Sequence, residues 1–310
     1  MRKTLCLLPL ASALLLSGCI SLAPDFERPQ APVEQVWPRD EATKNAALLT
    51  EGLQKWSDFF TDERLNRLIA LGLKNNRSLR SAFYSVEQAR AQYNVSRADL
   101  LPSVAVQAQE SAGRTPASTS SAGRDVTTHT YSASAAMASY ELDLFGRVRN
   151  LNEQALQSYF QTQAAQRTAQ MTVITEIAQT WLGLGASKDQ LKLAQDTYAS
   201  QYESLKLIRR SYDLGASSML EVQQALQTVA TARASMAQAQ RSVAQYRNAL
   251  ATLVGTAVPP ELEPEGLASD VTRSQVSVAS DIPSEVLLAR PDIAAAEAAL
   301  RAANANIGVA

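Results

Sequence analysis

Cysteine is nearly absent from the 310-residue chain. Cys6 and Cys19 are the only two, so nothing beyond residue 19 can enter a disulfide framework or a thiolate site. One histidine, His129, leaves no cluster with metal-ligand spacing, and neither a metal nor a cofactor is expected. Aromatic residues make up only 6% against 46% hydrophobic residues in all. The surplus is alanine, paired with much Gln and Ser, which suits long, closely packed helices better than a thick globular core. An excess of one charge is missing as well: 29 basic residues face 30 acidic ones, so nothing suggests a nucleic-acid partner. There is no acid/base constellation, phosphate loop or nucleophile elbow. No catalytic residue is assigned, and an enzyme is not expected.

What is present begins with a leader. Arg2 and Lys3 precede the apolar run Leu5 to Leu16, the charged and apolar regions of an export signal. The run is too short to span a bilayer, which takes about 20 residues. Leu16-Ser17-Gly18-Cys19 matches a bacterial lipobox, so residues 1–18 read as a lipoprotein signal peptide and Cys19 as the lipidation site. An ordinary secretory signal with a coincidental cysteine is the plainer alternative. Ile20 stands where Asp would favour inner-membrane retention, which points to the outer membrane. Prolines at 24, 29, 32 and 38 keep the following segment extended along a surface. Residues 19–60 are therefore taken as a lipid-anchored extended segment.

Residues 61–100 read as two helices. Asp62 and Glu63 open the first. Asn75-Asn76 interrupts the pattern, and the second runs from about Ser78 to Asp99, ahead of Pro102. The period then changes. Val104, Val106 and Ala108 alternate with Ser103, Ala105 and Gln107, and Tyr131, Ala133, Ala135 and Met137 alternate with Thr130, Ser132 and Ser134. These are strands with one greasier face, joined by turn and loop chemistry over 111–128. Strands of this length fit either a hairpin of a membrane barrel over 101–145 or a small soluble hairpin.

From Gly146 to about Tyr212 there is no proline and no loop cluster. A helix of that length would run for about 100 Å. Steps of four and three link Val173, Ile177, Thr180, Leu184, Ser187, Leu191, Ala194, Tyr198, Gln201, Leu205, Ile208 and Tyr212. After a turn at 213–218 the pattern resumes at Val222, Ala225, Val229, Ala232, Met236, Ala239, Val243, Tyr246, Leu250 and Leu253. A mean step of about 3.5 implies supercoiling against partner helices, and 146–255 reads as a long helical hairpin. Gly215 suits the left-handed end of a helix, and Ser217 and Ser218 suit the cap of the next. Asp143 is a candidate cap for the long helix, and Trp181 a residue packed between helices.

Residues 256–283 form a linker. From 284 to 310 the pattern of residues 76–96 recurs: Leu79 aligns with Ile293, Ala82 with Ala296, Val86 with Leu300, Ala89 with Ala303, Ala91 with Ala305 and Val95 with Val309. The chain reads here as beginning a second structural repeat and stopping short of its strands; a natural short form and a chance likeness of Ala-rich helices are the alternatives. The expectation is a truncated second copy, about two thirds of a longer protein.

Several stretches together resemble the TolC-type outer-membrane efflux family, in its lipoprotein branch that serves resistance-nodulation-division pumps. They are the lipobox, "APDFERPQAPV" (23–33), "SYELDLFGRVRN" (139–150), "SYDLGASSMLEVQQA" (211–225) and "LLARPDIAAAEAALRAANANIG" (287–308). The resemblance implies a mainly α fold with a β-hairpin: antiparallel coiled-coil helices of a periplasmic α-barrel, plus strands of a transmembrane β-barrel. It implies a homotrimer held in outer-membrane lipid of a Gram-negative cell, a periplasmic membrane-fusion adaptor and an inner-membrane pump of that class. The duct would be passive and would export drugs or other small toxic compounds. Leu214, Gly215, Ala216, Ser217 and Ser218 become the adaptor-contacting tip, and Glu221 a possible gate residue; an ordinary first-turn acid is the plainer reading of Glu221. Three copies of one hairpin supply too few strands for the family's barrel, so a product of this exact length is not expected to conduct. A lipid-anchored coiled coil without a pore and an exit duct for type I protein secretion are the alternatives.

Overall fold

Two compact units emerge from the chain: residues 1–29, 86–162 and 295–310 in one, and 30–85 and 163–294 in the other. The computed structural model describes residues 21, 23–29, 56–137, 139–267 and 284–310. The leader, Cys19, most of the 19–60 segment and the second half of the linker lie outside the described residues.

The second unit holds the larger core. A short helix, α1 (Trp56–Phe59), precedes Asp62. The Asp62 carboxylate accepts the backbone N–H groups of Arg64 (2.8 Å) and Leu65 (3.3 Å). It thereby caps α2 (Glu63–Asn75), satisfying donors that a helix start leaves free. Leu65, Leu68 and Ile69 turn inward. Asn76 ends α2 and starts α3 (Arg77–Ala98). Its Oδ1 accepts from Leu79 N (3.0 Å), and its Nδ2 donates to the Leu253 carbonyl (2.6 Å).

The two long helices are α4 (Arg147–Asp213, 67 residues) and α5 (Met219–Val254). The first 16 residues of α4, 147–162, belong to the first unit and the rest to the second. Along its seam, Val173, Ile177, Leu184, Ser187, Ala194 and Leu205 are buried. Thr180, Leu191, Tyr198, Gln201 and Ile208 are half-buried, and Tyr212 is exposed. On α5, Val222, Ala232, Ala239, Val243 and Leu250 are buried and only Tyr246 of the seam is exposed. Val173, Ile174, Ile177, Ala178, Trp181 and Leu184 of α4 close on α2 and on Val243, Leu250 and Val254 of α5. Full burial of each Val, Leu or Ile side chain among them is worth about 1.5–3 kcal/mol.

Segment 259–267 is fastened across these helices. Trp181 packs with no exposure, and its indole N–H donates to the Leu262 carbonyl (2.8 Å). It is thus held by a loop as well as by helices. Lys188 Nζ donates to Pro264 O (2.7 Å), and Leu267 N donates to Asp189 Oδ2 (2.7 Å). Glu263 meets Lys188 (2.8 Å) and Arg247 (2.9 Å). Burial alone would raise its pKa, but the hydrogen bonds from Arg247 and Lys188 outweigh that and hold it below the ordinary carboxylate value.

The first unit contains an antiparallel hairpin, β1 (Val104–Thr115) and β2 (Val126–Met137), in register from Val104↔Met137 to Thr115↔Val126. Loop over the whole of 111–128 is therefore too long an expectation. Residues 111–115 and 126–128 are strand because the ladder is made by the main chain, and Thr127, Thr128 and Val126 favour extended backbone. Turn chemistry is confined to 116–125. There Asp125 accepts Ala117 N (2.7 Å) and pairs with Arg114. Asp143 accepts Arg149 N (3.0 Å) and so caps the start of α4.

Helix α6 (Pro291–Ile307) buries Ala298, Ala302 and Ala305. The aligned copy in α3 buries Val86, whose counterpart Leu300 is exposed. The two copies share a sequence pattern but not a buried face. Among the described residues, no helix is long and apolar enough to cross a membrane.

Candidate functional site

The hairpin has two unlike faces. Residues opposite one another in an antiparallel pair lie on the same side. One side carries Val104, Val106, Ala108 and their partners Met137, Ala135 and Ala133, then Tyr131 opposite Glu110. The other carries Gln107, Gln109 and Ser111 with Ser134, Ser132 and Thr130. Val104, Val106, Tyr131 and Met137 are each at least 65% exposed. Among the described residues the sheet has only these two strands, so each has an outer edge unpaired within it. Twelve residues at about 3.4 Å each, tilted by about 45°, cover about 26 Å of depth, the height of a bilayer's hydrocarbon layer. Toward the turn the apolar face gives way to Glu110 and His129, 3.2 Å apart, with the imidazole stacked beside Tyr131.

At the far end of α4, the turn that the sequence places at 213–218 bends through Gly215, at φ 78°. Ser218 is the cap of α5. Its Oγ accepts Glu221 N (3.3 Å), while Glu221 Oε2 accepts Ser218 N (3.1 Å), a reciprocal capping box. Ser217 does not share this role; its hydroxyl donates to Ser211 Oγ (2.8 Å) and ties the turn to the last turn of α4. Leu214, Met219 and Leu220 are exposed, and nothing described approaches Gly215 within 4 Å of where a Cβ would stand. The structure thus gathers Leu214 to Ser218 into one turn, exposed but for the half-buried Ser217, and places Glu221 beside it, its carboxylate engaged by the cap. Cys19 lies outside the described residues.

Arg147 and Arg149 each pair with an acid of residues 139–146, the connector between β2 and α4. Arg147 Nε donates to Glu141 Oε1 (2.7 Å), and Arg149 Nε to Asp143 Oδ2 (3.1 Å). A further group has no counterpart in the residue-by-residue reading of the sequence. Asn150 is buried and donates to Ser21 Oγ (3.1 Å) and to the Gly308 carbonyl (3.2 Å). Asn304 Nδ2 donates to Pro24 O (2.8 Å). Arg28 pairs with Glu297 (2.5 Å), and Arg301 lies over the Phe26 ring at 4.8 Å. Residues of three motif stretches far apart in sequence, 23–33, 139–150 and 287–308, meet here. The motif stretches are themselves the signal that could have found the contact.

Residues 68–256 match the family model described as outer membrane efflux protein. The chain is 42% identical to the toluene efflux pump outer membrane protein TtgC of Pseudomonas putida over 302 residues, 96% of this chain and 62% of that protein. A crystal structure of a membrane protein from Pseudomonas aeruginosa matches with a TM-score of 0.76 and 36% identity, over 93% of this chain and 64% of that one. The open state of the MtrE outer membrane channel of Neisseria gonorrhoeae matches at 0.71 and 34%, over 93% and 63%. The chain thus spans just under two thirds of the length of these relatives. By fold, by family model and by relatives, it belongs to the outer membrane efflux protein family.

Proposed function

We propose that this chain contributes the wall of a passive outer-membrane duct, the exit component of a tripartite efflux system. The observation that carries this reading is the two-faced hairpin, with its exposed apolar side and unpaired outer edges, leading into a 67-residue helix. Within a bilayer every backbone polar group needs a partner, so such edges are satisfied only by strands of further copies or repeats in a closed barrel. Cys19 carries the lipid anchor. Three copies assemble, the Leu214–Ser218 turn meets a periplasmic adaptor, and an inner-membrane pump supplies the energy. Glu221 contributes to the gate. The chain does no chemistry on its cargo, which is a small toxic compound; the name of the toluene-pump relative supports that class.

The test is a deletion of the gene in its own cell. Accumulation of a fluorescent pump substrate is expected to rise, with hypersensitivity to apolar toxicants, and the reintroduced gene is expected to reverse both. Accumulation equal to that of the parent strain would instead support a lipid-anchored coiled coil without a pore.

A further inference from the structure

The apolar side of the hairpin is too short for the membrane it faces. Its three apolar rows, Val104/Met137, Val106/Ala135 and Ala108/Ala133, span four residue steps. That is about 14 Å along the strand and about 10 Å of depth at 45°, against a lipid-facing band about 25 Å tall. The missing depth must lie to one side. Toward the turn stand Glu110 paired with His129 and Arg114 paired with Asp125, and no exposed large apolar side chain lies among residues 109–130 to face hydrocarbon.

Toward the helices the side chains are of the opposite kind. Leu101 (70% exposed), Leu142 (72%), Leu144 (55%) and Phe145 (65%) project without cover, with Tyr140 among them. The acids between them are occupied: Glu141 by Arg147 and Asp143 by Arg149. The strand ends at Met137; residues 139–143 continue as neither strand nor helix, and Leu144 N donates back to the Leu142 carbonyl (2.9 Å), which bunches these side chains just below the hairpin.

The amino-terminal segment is fastened at the same place. Ser21 is hydrogen-bonded to Asn150 and lies against Gly146, where a Cβ would come within 3.0 Å of Ser21 Cα.

We infer that the connector 139–146, with Leu101, is a second membrane-contacting surface. It seats in the inner leaflet of the bilayer that the hairpin crosses, and the clamp on Ser21 delivers the lipid-bearing end of the chain to it. Its apolar side chains reach lipid hydrocarbon while its irregular backbone stays at the headgroup boundary, where water satisfies it. This rests on the membrane reading of the hairpin and deepens it, by moving the lower edge of the apolar band from Val104 and Met137 to Phe145.

The test uses tryptophan as a depth probe in the full chain, reconstituted in bilayers of acyl-brominated phosphatidylcholine. Phe145→Trp, Tyr131→Trp and Phe160→Trp are each made, and the parent's three tryptophans provide the background to subtract. The added fluorescence of Phe145→Trp is expected to be quenched as strongly as that of Tyr131→Trp, with Phe160→Trp unaffected. Quenching at 131 but not at 145 would overturn the seat while leaving the spanning hairpin intact. Quenching at neither would overturn both.

Cys19→Ser separates the connector from the anchor. Quenching at 145 that persists in Cys19→Ser supports the connector's own affinity for lipid. Quenching that disappears there while persisting at 131 shows that the acyl chains alone hold it, and overturns the proposal.

Discussion

Glu263 shows how a single residue fixes the linker to the long helices. Its carboxylate holds Lys188 of α4 and Arg247 of α5 at once, and those bonds keep its pKa low in spite of burial. A native carboxyl below its unfolded value of about 4.3 contributes stability above that value and loses it as pH falls through the native one. Glu263→Gln is therefore expected to lower stability at neutral pH by about 1–2 kcal/mol, since Arg247 is half-exposed and regains water. The gap from the parent should narrow as pH is taken from neutral to strongly acidic, through the lowered native value. Helical circular dichroism against temperature at the two pH values measures this. An equal gap at both would show that the charge does not matter. Nothing in the sequence pointed to Glu263, whose partners lie 75 and 16 residues away and follow no period.

At the scale of elements, the helices were legible because burial repeats. One seam position every 3.5 residues is enough to reveal a partnered face, and Val173 to Ile208 are buried or half-buried as that spacing requires. The capping serine was legible at Ser218 because caps are local chemistry. Ser217 was not, because its partner Ser211 sits across the turn. The strand ends were misjudged because Ser111 to Thr115 pair through main-chain bonds that small and polar residues do not announce.

The capping box also separates two roles for Glu221. Glu221→Ala is expected to cost about 0.5–1 kcal/mol by breaking the box, whereas Glu221→Gln keeps it. If Glu221 also gates the duct, Glu221→Gln should change dye efflux while leaving the unfolding midpoint at the parent value. Efflux at the parent rate in Glu221→Gln, with a lowered midpoint in Glu221→Ala, would confine the residue to capping.

For the whole molecule, the family was legible from its motif stretches, and residues of three of them meet around Ser21, Asn150 and Gly308. That meeting joins residues up to 280 positions apart, beyond the reach of any local pattern. The central claim is that the hairpin crosses the outer membrane while the α4–α5 turn stays in the periplasm. It is tested most directly by cysteine labelling in intact cells. Ser118→Cys in the hairpin turn and Ser217→Cys in the helical turn are exposed in turn to a membrane-impermeant maleimide. Ser118→Cys is expected to react from outside, and Ser217→Cys only after the outer membrane is permeabilised. Protection of Ser118→Cys until permeabilisation would contradict the account.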